Sequence, residues 1–132
     1  MIKGRFALFC DYALTSSDGK LSIIGEFHHL HSTSEKASLG KAYFVASFFG
    51  TPNSKVDLLV RLVNEKEDDE LFKQTFNLTT SPEGKANIMI EFQGLTFNKF
   101  GIYKAIITED KKLVSEVELN VIKAKSLPQA RA

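Results

Sequence analysis

Apolar residues recur at every second position along most of this chain, and that spacing leaves few folds open. Val56, Leu58, Val60 and Leu62 alternate with other residues, as do Ala86, Ile88, Ile90 and Phe92. Tyr103, Ala105 and Ile107 follow the same rule. A period of two puts such residues on one face of a β-strand. No window of similar length shows the 3.6-residue period of a helix, and β-branched and aromatic residues fill the runs.

Turn formers separate the runs. "TSSDG" (15–19), "GTPNS" (50–54), "NEKEDDE" (64–70), "TSPEGK" (80–85) and "EDKK" (109–112) are rich in Gly, Pro, Asn, Asp and Ser. These residues accept tight-turn geometry. Before the first turn, Phe6, Leu8, Cys10 and Tyr12 form the inward phase of the opening strand. After it, Leu21, Ile23, Gly25 and Phe27 form the inward phase of the returning strand, which makes a hairpin. Lys41 to Phe49 is apolar on both faces and reads as a buried central strand. Leu113, Val117, Leu119 and Val121 line the last strand.

The expected fold is therefore all-β: an antiparallel β-sandwich of immunoglobulin-like kind with about eight strands. A small β-barrel is the alternative. Eleven Phe and no Trp point to a Phe-filled core, about 10 Å thick between two sheets. At 132 residues the chain forms one domain, placed at 1–122, with 123–132 as a flexible tail. His31 to Gly40 is the longest polar connection, either one helical turn or a mobile loop. Gly101 permits a bend, after which Tyr103 either places its hydroxyl on backbone at a corner or is an ordinary inward tyrosine.

Composition narrows the function classes. Seventeen Lys and Arg against sixteen Asp and Glu give no reason to expect nucleic acid or a membrane surface as partner. Asp11 stops the opening apolar run too early for a secretion signal, and no run approaches the ~20 residues that span a bilayer. A single cysteine, Cys10, excludes an intrachain disulfide and fits a reducing compartment. The cytoplasm is the expected location. The sequon at Asn77-Leu78-Thr79 is then a chance match.

Candidate sites are few. Cys10 shares a strand phase with apolar residues and has no helix N-terminus to activate it, so it reads as a buried thiol. Asp11, on the opposite face, either caps the turn or pairs with a neighbouring strand. His28, His29 and His31 cluster within four positions. On a strand His29 and His31 share a face, a two-ligand arm for zinc that Asp11 or Glu35 would have to complete. Nothing in the spacing shows that they do, so no metal or other cofactor is expected. The acidic run 65–70 lacks the oxygen pattern of a calcium loop and reads as a solvated tip. "SDGK" (17–20) is a turn and lacks the glycines of a phosphate loop. No catalytic constellation occurs, and no enzymatic activity is expected. Apolar residues on outward phases, Phe9, Ile24, Leu59, Met89 and Ile106, are candidates for an interface if they gather into one patch.

"RFALFCDYA" (5–13), "DGKLSIIGEF" (18–27) and "GIYKAIITEDKKLVSEVELNV" (101–121) together resemble a family of small bacterial proteins of unknown function, DUF6941. The resemblance is most specific over the first 27 residues, in Cys10-Asp11-Tyr12 and Asp18-Gly19-Lys20. It implies no activity, cofactor or partner. The cluster His28 to His31 and the length of the loop after it depart from the family pattern, so a metal site there is not implied for the family.

Three functions remain. The leading expectation is a non-enzymatic protein-interaction module, self-associating as a homodimer or serving as an accessory subunit. Next is a small-ligand or metal-binding module using strand ends near Asp11, His29 and His31. A hydrolase with an unrecognised site comes last.

Overall fold

A computed structural model describes residues 2–125. Nine strands follow in order: β1 (Lys3–Thr15), β2 (Leu21–Phe27), β3 (His29–Ser32), β4 (Ala37–Phe49), β5 (Lys55–Asn64), β6 (Glu70–Thr79), β7 (Lys85–Phe97), β8 (Gly101–Glu109) and β9 (Lys112–Lys123). They form a four-stranded sheet, β2-β1-β4-β7, and a five-stranded sheet, β3-β9-β8-β5-β6. Two separate sheets make a sandwich rather than a closed barrel. In immunoglobulin terms β9-β8-β5 corresponds to the G-F-C sheet and β4–β7 to the B–E pair. The expected tail lies beyond residue 125, outside the described residues, apart from its first three positions. Of these, Lys123 still pairs with Ser32.

The alternating residues of β5, β7 and β8 meet in the core as the period requires. Leu58, Val60, Leu62, Ile88, Ile107 and Leu119 are buried there with Phe44, Phe48 and Phe97. Burying each such side chain contributes roughly 1.5–3 kcal/mol. β4 is central, paired with β1 on one side and β7 on the other, and is buried from Ala42 to Phe48.

Tyr103 is fully buried at the start of β8. Its hydroxyl accepts the Lys99 backbone N–H at 3.3 Å and donates to Asp69. It is both an inward tyrosine and a corner tyrosine. The acidic turn is accordingly more than a solvated tip. The Asn64 side-chain oxygen accepts the N–H groups of Asp68 and Asp69, each at 3.0 Å. Asp69 in turn accepts the backbone and side-chain N–H groups of Asn98, at 3.2 and 2.9 Å.

Three expectations are corrected. First, the polar stretch 31–40 carries no helical turn: it holds the second half of β3 and the start of β4. A histidine-rich, Ser-rich strand gives no apolar alternation, so the ninth strand was invisible. Second, Leu113 is exposed while Val114 packs on the core. The β8–β9 register shifts between Ile107 and Thr108, and a bulge of this kind exchanges the faces. Third, the inward phase of β1 is the other one. Ala7 and Phe9 face the core, whereas Phe6, Leu8 and Cys10 belong to a second cluster with Tyr43, Val45 and Met89, and so do Leu21 and Ile23 of β2, which were expected inward with Phe27. That cluster covers the outer face of the four-stranded sheet.

Candidate interaction surface

The second cluster explains how a sheet can be apolar on both faces. It holds Ala13, Leu21 and Ile23 as well as Cys10. Cys10 and Ala13 are three positions apart, a spacing that puts side chains on opposite faces of a regular strand. The hairpin must therefore turn over between them. The irregular point is Gly25, whose φ is +72°. It lies opposite Asp11, and a Cβ built there would meet the Asp11 carboxylate at 2.5 Å. Beyond this point the tip of the β1–β2 hairpin forms an arm, residues 12–24, that crosses β4. Its turn reaches the start of β7, where Asp18 and Gly19 share a cleft with Ser81, Glu83, Lys85 and Asn87.

With Ala13, Leu21 and Ile23 packed beneath, the arm turns its other phase to solvent. Tyr12 is 43% exposed, Leu14 38% and Ile24 59%. Tyr12 and Ile24 are cross-strand partners, and the Tyr12 ring rests edge-on against Tyr43, centroids 5.5 Å apart. Five large apolar side chains stand exposed among the described residues, and these are three of them. Of the other two, Phe49 lies under the Arg5 guanidinium and Leu113 stands at the β9 bulge beside a cleft shared with Ile2 and Val114.

The five interface candidates do not form one patch. Phe9 is buried in the core, its ring tilted against Phe27 and Phe44, because β1 has the opposite phase to that expected. Met89 is half-buried beneath the arm. Leu59 and Ile106 are half-buried on the outside of the other sheet. Ile24 stands on the arm. Tyr12 and Leu14 are the residues that sequence reasoning missed. Their exposure follows from the inversion at Gly25, which periodicity cannot show.

The polar candidates separate likewise. Cys10 is fully buried, and burial pushes its thiol pKa up. Asp11 lies over the backbone of Gly25 on the neighbouring strand. His29 and His31 share a face of β3, with ring centroids 6.3 Å apart and nearly parallel at 23°. His28 sits apart and approaches Glu26 at 3.5 Å. Among the described residues no three His, Cys, Asp or Glu side chains gather as a metal site, so Asp11 does not join the histidines. On the outer face of the four-stranded sheet Tyr43 donates to Glu91 at 2.8 Å. That bond holds the phenol pKa up at about 12. No helix of the described residues is long and apolar enough to cross a membrane.

Comparison with known proteins adds fold and family. No curated protein matches the chain. Among solved structures it is similar to an alkylpurine DNA glycosylase from Pseudomonas fluorescens bound to DNA containing an abasic site analogue. That likeness has 8% identity and a TM-score of 0.51, over 91% of this chain and 30% of that one. It is also similar to an immunoglobulin-like protein from Pseudomonas aeruginosa, at 11% identity and a TM-score of 0.48, over 92% and 97% of the two chains. At such identities the likeness is one of fold alone. The family model of DUF6941, a family of unknown function, matches residues 5–122, and the chain belongs to that family.

Proposed function

We propose that this protein is a non-enzymatic β-sandwich that self-associates through its β1–β2 arm, in the reducing environment of the cytoplasm. The observation that carries the reading is the exposed apolar row of Tyr12, Leu14 and Ile24 on one hairpin. An apolar row set over a buried cluster is a rigid surface, because Ala13, Leu21 and Ile23 anchor it from below. Rigid apolar side chains lose little freedom on docking.

The edge of the sheet supports the same reading. β2 is an edge strand, and within Leu21–Phe27 its only charge is Glu26. Edge strands that must stay single are usually short, charged or interrupted by proline. β3 is four residues long, β6 carries Glu70 and Lys73, and β7 carries Lys85 and Glu91. β2 has the least such protection. An antiparallel strand edge is its own complement about a two-fold axis, and a net charge of +1 sets up little repulsion between copies.

The test is sedimentation of the full chain over a concentration series, beside Ile24→Glu. The expected result is a dimer that the substitution weakens by at least about tenfold. A monomer at every concentration would remove the reading.

A further inference from the structure

We propose that His29 and His31 are half of a zinc centre, completed by the same two residues of a second copy. The proposal rests on the self-association reading for the source of the second pair and on nothing else in it.

Leu30, between the two histidines, packs on the core, which turns His29 and His31 to the outside of the sandwich. The ion pair in this cluster belongs to His28 with Glu26, so it does not engage the outward pair. The two rings lie 6.3 Å apart, centroid to centroid. Zinc bound tetrahedrally by two imidazoles holds their centroids about 5 Å apart, given Zn–N bonds of about 2.0–2.1 Å. Roughly 1 Å of side-chain rotation closes the difference, well within the freedom of surface rotamers.

Donor count then fixes the partner. Zinc takes four ligands in a closed site. This chain brings no third His, Cys, Asp or Glu to the pair among its described residues, and Glu35 in the bend after β3 does not join. Two donors per chain and a four-coordinate ion call for two chains. β3 is the outer strand of its sheet, paired to β9 on one side only, so a second β3 can approach the free side. The pair stands on the outside of the five-stranded sheet and the arm on the outside of the four-stranded one; β2 and β3 follow one another at the edge with His28 alone between them. Imidazole nitrogen is a donor that suits zinc well.

The experiment is sedimentation of the full chain in EDTA and in zinc chloride, with the bound metal counted. Zinc is expected to tighten self-association by at least about tenfold, at one zinc per two chains. His29→Asn and His31→Asn should each abolish that gain and leave the behaviour in EDTA unchanged. Both positions sit on an edge strand, and circular dichroism checks that the variants are folded. Zinc bound without a change in mass would overturn the proposal, as would a gain that survives either substitution. A dimer indifferent to zinc would overturn the metal centre and leave the arm standing. A monomer in both conditions would remove both.

Discussion

Tyr103 donates its hydroxyl to Asp69 across 34 positions of sequence, joining the β5–β6 turn to the corner before β8. The bond makes the acidic turn part of the frame. Replacing Tyr103 by Phe leaves Asp69 short of a donor and the Lys99 N–H without its acceptor. Losses of this kind cost about 1–3 kcal/mol. Chemical denaturation of Tyr103→Phe against the native protein measures it.

The same pair sets a dependence on pH. Burial, and then the Asp69 carboxylate, push the Tyr103 phenol up to about 12, against about 10 in an unfolded chain. Folding therefore favours the neutral phenol. Its contribution is intact below pH ~10 and is lost as pH rises toward 12. Asp69 behaves oppositely. Its burial alone would raise it, but bonds from Tyr103 and Asn98 outweigh that and lower its pKa. Its contribution is present above pH ~4 and fades as pH falls below that. Melting temperatures of native protein and Tyr103→Phe should converge above pH ~10; a constant gap up to pH 12 would contradict the assignment.

Gly25 is the pivot of the arm. Alanine there meets a φ of +72° and the Asp11 carboxylate at 2.5 Å. The left-handed conformation alone costs about 1–2 kcal/mol. Gly25→Ala should be destabilising by at least that amount. Adding Asp11→Ala should remove the contact with the carboxylate but neither the close approach to the Asp11 Cβ at 3.1 Å nor the backbone cost, so the double variant should be more stable than Gly25→Ala and less stable than the native protein. Thermal unfolding of all four proteins completes the cycle.

Cys10 reports whether the arm is closed. It is fully buried in the cluster that Ala13, Leu21 and Ile23 cover, and its raised pKa keeps it protonated. Native Cys10 should resist iodoacetamide and react on denaturation. Ile23→Ala should speed the native reaction, because it loosens the cover without touching the thiol. Rapid alkylation of the native protein would show the arm to be open.

Alternation was a sound guide wherever one face of a strand is wet. In β5 and β7 most outward positions are charged or amide residues, Leu59, Val63 and Met89 excepted, and the inward sets Val56 to Leu62 and Ile88 to Phe92 follow directly. β1 defeated it because both of its phases are apolar. Phe6, Leu8 and Cys10 look more like a core than Ala7 and Phe9 do, until the arm is seen to cover them. The exposure of Tyr12 and Leu14 depends on that same fold-back. Leu113 and Val114 are adjacent apolar residues, and the bulge that chooses between them lies in the pairing with β8. The shared face of His29 and His31 was readable from their spacing. The absence of a third donor was not, since it depends on which strands become neighbours.

Self-association as proposed requires the arm of one copy to dock on another. Sedimentation equilibrium of the native chain and of Ile24→Glu, at equal concentrations, tests it most directly. A dimer mass is expected for the first and a monomer mass for the second, with matching thermal stability. Equal masses for the two proteins would contradict it.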